Sequence, residues 1–381
     1  MLIGVCGAIC SGKKTVARYL VEHHGFKQLH LRGPDDDDKD EGDVNKDSPP
    51  SELATSSPPS PTAFAGALTA SALTARPGAQ PQSLSPSSSS LVLGPSHPET
   101  FATAEALLDF VTRRWQDRFV IANLPSEAVA DVFARRPFFL LLSIDAPVSV
   151  RWRRFQQRNG EISLDHFVAR SDAQLYHATT GQQPLISRAT VRLLNTSESL
   201  AHLYASLGKL DVTNPDRLRP GWDTYFMALA SLAAQRSNCM KRRVGCVLVG
   251  KEHGVISTGY NGTPRGLRNC ISGGCPRCND ANNSSGVALS TCLCIHAEEN
   301  ALLEAGRDRI RPGAVLYCDT CPCLTCSIKI CQVGIAEVVY TRDYSMDSAT
   351  AAVFSQAGVK LRQFTPPHTG LVHLERMELY D

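Results

Sequence analysis

Two stretches decide how this chain is read: CIHAEENALL at residues 294–303 and PCLTC at residues 322–326. In the first, His296 and Glu298 stand two residues apart at the head of a run that favours helix. In the second, Cys323 and Cys326 are three residues apart, close to one helical turn, so both sulfurs can face one metal ion. Pro322 suits a helix start, where its missing N–H costs nothing, and the helix dipole there favours thiolates. His296, Cys323 and Cys326 supply three donors and leave a fourth position open, which is the pattern of a catalytic zinc. Glu298 need not bind the metal and is free to carry protons.

Working outward, a helix over 223–236 precedes strands at 245–250 and 255–259, and a loop rich in Cys and Gly follows. Then come a helix at 296–306, a strand at 314–318, a helix at 323–333, a strand at 336–340, a helix at 347–357 and a strand at 359–364. This order predicts a three-layer α/β/α domain over 218–381.

The H-x-E and P-C-x-x-C pair, with Pro322 standing 24 residues after Glu298, is the signature of zinc deaminases. With GYNGTP at 259–264, the region resembles the deoxycytidylate deaminase family over about 160 residues. The resemblance implies a cytidine-deaminase-like fold and hydrolysis of dCMP to dUMP and ammonia, which feeds thymidylate synthesis. Zinc would sit on His296, Cys323 and Cys326, with Glu298 as the catalytic proton carrier. Asn261 would help hold the nucleotide, and Arg307 and Tyr344 its phosphate. The plainer readings are a helix C-terminal cation for Arg307 and core packing for Tyr344.

A second, structural zinc is also implied, on Cys239, Cys270 and Cys294, with Cys275 or Cys278 as the fourth ligand. The alternative is a group of reduced, partly buried thiols. The resemblance further implies a homo-hexamer activated by dCTP with Mg2+ and inhibited by dTTP.

Composition bounds the rivals. Fourteen cysteines, twelve of them from Cys239 to Cys331, read as metal ligands in a reducing compartment rather than as a disulfide scaffold. The net charge of +2 gives no polymer footprint, and residues 218–381 carry 17 Lys and Arg against 14 Asp and Glu. That disfavours a nucleic-acid cytosine or adenine deaminase, and no nucleic-acid partner is expected. No apolar run approaches a membrane span, and the opening MLIGVCG lacks the features of a signal peptide, so a cytoplasmic protein is expected, with the nucleus left open as a second location.

The first part of the chain carries GAICSGKKT at 7–15, which resembles a P-loop. Gly7, Gly12, Lys13 and Thr15 would surround a phosphate. The hydroxyl residue expected after the lysine is replaced by Lys14, which argues for a degenerate site. With a basic helix at Arg151, Arg153, Arg154 and Arg158, the segment resembles dephospho-coenzyme A and nucleoside monophosphate kinases. A split, parallel α/β domain over 1–33 and 99–212 is predicted, interrupted at 34–98 by a disordered, Ser- and Pro-rich insert. The rival function is a P-loop phosphotransferase whose zinc module is only scaffold.

Overall fold

The computed structural model describes residues 1–32, 99–197, 199–280, 291–343, 348–367 and 370–373. The predicted insert therefore lies outside the described residues.

The first part runs β1 (Leu2–Gly7), α1 (Lys13–His24), β2 (Lys27–Leu31), β3 (Glu99–Phe101), α2 (Ala104–Thr112), β4 (Phe119–Ile121) and α3 (Glu127–Ala134). It continues with β5 (Phe139–Asp145), α4 (Val148–Asn159), α5 (Leu164–Tyr176), α6 (Gln183–Arg188), β6 (Val191–Leu194) and α7 (Leu200–Leu210). The second part runs α8 (Trp222–Gln235), β7 (Gly245–Val249), β8 (Val255–Tyr260), the short α9 (Pro276–Asn279), α10 (Ala297–Ala305) and β9 (Val315–Thr320). It closes with α11 (Leu324–Val333), β10 (Glu337–Arg342), α12 (Ser348–Gln356), β11 (Lys360–Gln363) and β12 (Gly370–His373).

The first sheet is parallel throughout, in the order β12-β6-β5-β1-β4-β2-β3. All six residues of β1 are buried, as expected of a central strand covered by helices on both faces. One of the two edge strands of this sheet is β12, the last described segment of the chain, paired in register with β6. Residues 370–373 therefore join the first sheet rather than the second.

The second sheet, β11-β10-β9-β7-β8, is mixed, with β7 antiparallel to both neighbours. One face is covered by α8 through Phe226, Met227 and Ala230. The other is covered by α10, α11 and α12, with Ala297, Ala301, Ile330 and Phe354 in a buried cluster. This is the predicted three-layer α/β/α domain.

Two glycines set how closely helices approach this sheet. A Cβ on Gly245 would lie 1.9 Å from the carbonyl oxygen of Ala230, and one on Gly259 would lie 2.1 Å from that of Ala297. The second contact matters for function, because it presses the start of α10 against β8.

An ion-pair network fastens α8 to the far edge of the sheet. Arg362 donates to both carboxylate oxygens of Asp223 at 2.8 and 3.0 Å and to Glu337 at 2.8 Å, and the Tyr317 hydroxyl donates to Asp223 at 2.8 Å. The Arg362 guanidinium holds the Asp223 carboxyl below the usual aspartate range. Its stabilisation is therefore present above the unfolded-state pKa and is lost as pH falls through the lower folded-state value. Because the pair is partly exposed, Asp223→Asn is expected to cost about 1 kcal/mol at neutral pH. That deficit should shrink below about pH 4. Urea unfolding across pH 3 to 7 checks this, and a deficit independent of pH would refute it.

Candidate active site

His296 is the N-cap of α10 and Cys323 the N-cap of α11, with Cys326 in the first turn of α11. Two helix starts thus meet at one point, bringing unpaired N–H groups and positive dipole ends together. His296 Nδ1 lies 3.4 Å from the sulfur of Cys323 and 3.3 Å from that of Cys326. Hydrogen bonding from Cys326, and then from His296, pulls the Cys323 thiol down to about 3, so this sulfur is a ready thiolate. An imidazole and two sulfurs converging in this way fit zinc and its preference for nitrogen and sulfur donors.

Glu299, a residue given no role from sequence, supports this arrangement. Its carboxylate accepts the backbone N–H of His296 at 3.0 Å and pairs with Lys329 of α11, tying the two ligand-bearing helices together.

Glu298 is 4% exposed and lies outside the donor set. Burial pushes its carboxyl up to about 6. A carboxyl poised near neutrality both takes and returns a proton readily, as a group serving as base and then acid must.

His296, Glu298 and Cys323 share a cleft with Asn261, Thr320 and three cations, Lys241, Arg242 and Arg277. Asn261 does line the cleft, but its amide is largely engaged within the protein. Its Oδ1 accepts from the Ser237 hydroxyl at 2.6 Å and the Val244 N–H at 2.9 Å, and its Nδ2 donates to the Arg242 carbonyl at 2.8 Å. Asn261 thus shapes the loop that carries Lys241 and Arg242.

Those two cations were missed from sequence. Their signal was the KRR run at 241–243 directly before β7.

Arg307 is the residue that the resemblance puts at the substrate phosphate. It lies beyond the C-terminal end of α10, exposed, donating to the Gln332 carbonyl at 3.0 Å, and does not line the cleft. The reason is geometric: the cleft is at the N-terminal end of α10, and a helix rises ~1.5 Å per residue. Tyr344 lies outside the described residues.

The remaining cysteines gather beside the cleft. Cys239, Cys270, Cys278 and Cys294 place their sulfurs within 4.8 Å of one another, which groups Cys278 with the three cysteines expected at a second zinc. Cys275 joins a second, overlapping group with Cys278, Cys292 and Cys294.

In the P-loop-like segment, a loop joins β1 to α1, but Lys13 Nζ donates to the carbonyls of its own loop, Gly7 at 2.8 Å and Ala8 at 2.9 Å. A phosphate held by Gly7, Gly12, Lys13 and Thr15 would require that side chain to turn outward. The basic helix is also committed inward in part. Arg151 is buried against the Ala146 carbonyl and the Ser171 hydroxyl, and Arg154 donates to the Ser197 carbonyl.

The sequence pattern of the cytidine and deoxycytidylate deaminase zinc-binding region matches residues 220–342, which hold all three donors and Glu298. With the geometry above, that makes the second part of the chain a zinc-dependent deaminase. A Schizosaccharomyces pombe protein named deoxycytidylate deaminase is 43% identical over 371 residues, covering 97% of this chain and 99% of the relative. A deoxycytidylate deaminase of a Mycobacterium phage is 44% identical over 131 residues, 33% of this chain and 98% of the phage protein. A solved dCMP deaminase of the cyanophage S-TIM5, in complex with dCMP and dUMP, is 30% identical and covers 37% of this chain and 94% of its own, with a TM-score of 0.30. The chain belongs to the deoxycytidylate deaminase family.

Proposed function

We propose that this chain hydrolyses dCMP to dUMP and ammonia, supplying dUMP for thymidylate synthesis. The observation that carries the reading is the buried Glu298 beside the convergent His296, Cys323 and Cys326, in a cleft whose other side is cationic. Zinc bound there supplies Lewis acidity, which makes a water molecule nucleophilic near neutral pH. Glu298 takes one proton from the attacking water and delivers it to ring N3 as the bond to C4 forms; it then takes the remaining proton of the new C4 hydroxyl and gives it to the amine as the C–N bond breaks, which leaves the C4 carbonyl of dUMP and free ammonia. The cleft walls hold the base in register, and Lys241 and Arg242 attract the 5′ phosphate.

Family membership also supports the finer parts of the proposal: a cytoplasmic homo-hexamer, activated by dCTP with Mg2+ and inhibited by dTTP. Leu303 and Ile328, exposed on α10 and α11, offer apolar surface for self-association. Among the described residues, no helix is long and apolar enough to cross a membrane. That the phage relative is spanned almost wholly by a third of this chain supports a deaminase that does not need the P-loop-like part for chemistry.

Ammonia release measured on dCMP, CMP, deoxycytidine and single-stranded DNA, with and without dCTP, tests the proposal. Preference for dCMP is expected, and turnover of the DNA or of the free nucleoside alone would overturn it. Arg307 provides a sharper check. As an exposed side chain away from the cleft, Arg307→Ala is expected to leave kcat/KM for dCMP within about threefold. A tenfold loss confined to dCMP would return the phosphate to Arg307.

A further inference from the structure

We propose that the six cysteines beside the active-site cleft bind two zinc ions as a single binuclear cluster, with Cys278 and Cys294 as bridging thiolates. The two four-sulfur groups, one adding Cys239 and Cys270 and the other Cys275 and Cys292, share those two members. Six sulfurs therefore fill the eight positions that two tetrahedral ions require. The sulfur separations suit this: 3.8 Å for Cys239–Cys278, 3.8 Å for Cys275–Cys292, 3.5 Å for Cys278–Cys292 and 3.9 Å for Cys278–Cys294. A zinc tetrahedron with bonds of about 2.3 Å has edges of roughly 3.8 Å.

A single ion on Cys239, Cys270, Cys278 and Cys294 accounts for only one of the two groups. It would leave Cys275 and Cys292 as spare thiols, although the Cys292 sulfur lies 3.5 Å from that of Cys278 and the Cys275 sulfur 3.8 Å from that of Cys292. The surroundings also favour thiolates on both sides of the cluster. The Met240 N–H points to the Cys270 sulfur at 3.4 Å and the Leu293 N–H to the Cys275 sulfur at 3.3 Å. Two divalent ions against six thiolates leave a net negative charge, and the Arg277 guanidinium, 8% exposed, donates to Cys278 at 3.9 Å.

Local sequence fits as well. Cys275 caps α9 and Cys278 lies one turn on, while Cys292 and Cys294 flank a single residue. Cys294 stands two residues before His296, so the cluster fixes the segment that leads into the catalytic donor.

The test uses the full chain, produced with ample zinc and kept reduced. Elemental analysis is expected to give three zinc ions per chain, one at His296 and two in the cluster. Zinc-edge X-ray absorption should show a metal–metal distance of roughly 3 Å, as two shared sulfurs at ~2.3 Å impose. Cys292→Ser, which removes a ligand belonging only to the second group, should lower the count by one and abolish that distance. Two zinc ions in the unaltered protein with no metal–metal signal would overturn the proposal, as would a Cys275–Cys292 disulfide in reduced protein or a zinc content unchanged by Cys292→Ser. If that variant fails to fold, the absorption spectrum of the unaltered chain decides alone.

Discussion

Glu298→Gln is expected to lower kcat for dCMP by roughly a hundred- to ten-thousandfold while the metal content stays unchanged. The side chain is buried and lies outside the donor set of His296, Cys323 and Cys326, so the amide removes proton transfer without removing a ligand. Because one carboxyl serves as base and then as acid, a single substitution disables both steps. At a thousandfold the loss is about 4 kcal/mol of barrier. Stability should move the other way or not at all, since a neutral amide escapes the desolvation that pushes this carboxyl up to about 6. Turnover within tenfold of the unaltered protein, or loss of zinc, would remove Glu298 from the proton-carrying role.

The catalytic centre was legible in the sequence because its parts are local. Spacing alone places Cys323 and Cys326 on one side of a helix start, and His296 and Glu298 at the start of another; the fold only had to bring two helix N-termini together. What spacing did not convey was direction. Arg307 belongs to the same helical unit as His296 but stands at its opposite end, and the helical rise could have excluded it from the cleft. The choice between Cys275 and Cys278 depended on the conformation of a four-residue helix, which CPRC by itself leaves open. Among the strands, β7 and β9 are buried and largely apolar and were readily identified. By contrast, β2, β6 and β12 are short, partly exposed and interrupted by Lys, Arg or His, so only their pairing partners define them. The return of β12 to the first sheet is a long-range event that no local pattern encodes.

Arg242→Ala is expected to reduce kcat/KM for dCMP by about ten- to a few hundredfold, the equivalent of 1.5 to 3 kcal/mol for a charge-assisted contact to phosphate. Three cations line the cleft, but they are not equivalent. Arg277 is buried against the cysteine cluster, Lys241 is a compact ammonium that donates to the Asp280 carbonyl at 2.8 Å, and Arg242 carries the planar guanidinium suited to a bidentate contact with phosphate, so we assign the monoester to Arg242. The substitution should spare the loop, because Asn261 grips the backbone carbonyl of Arg242 and not its side chain. Deoxycytidine has no phosphate to lose, so its turnover, weak in both proteins, should hardly change. Raising ionic strength should weaken dCMP binding more in the unaltered protein than in the variant, since screening acts on a charge the variant has already lost. An equal loss on nucleotide and nucleoside would mean that Arg242 shapes the cleft wall rather than gripping the ligand, and the phosphate would then have to be held by Lys241.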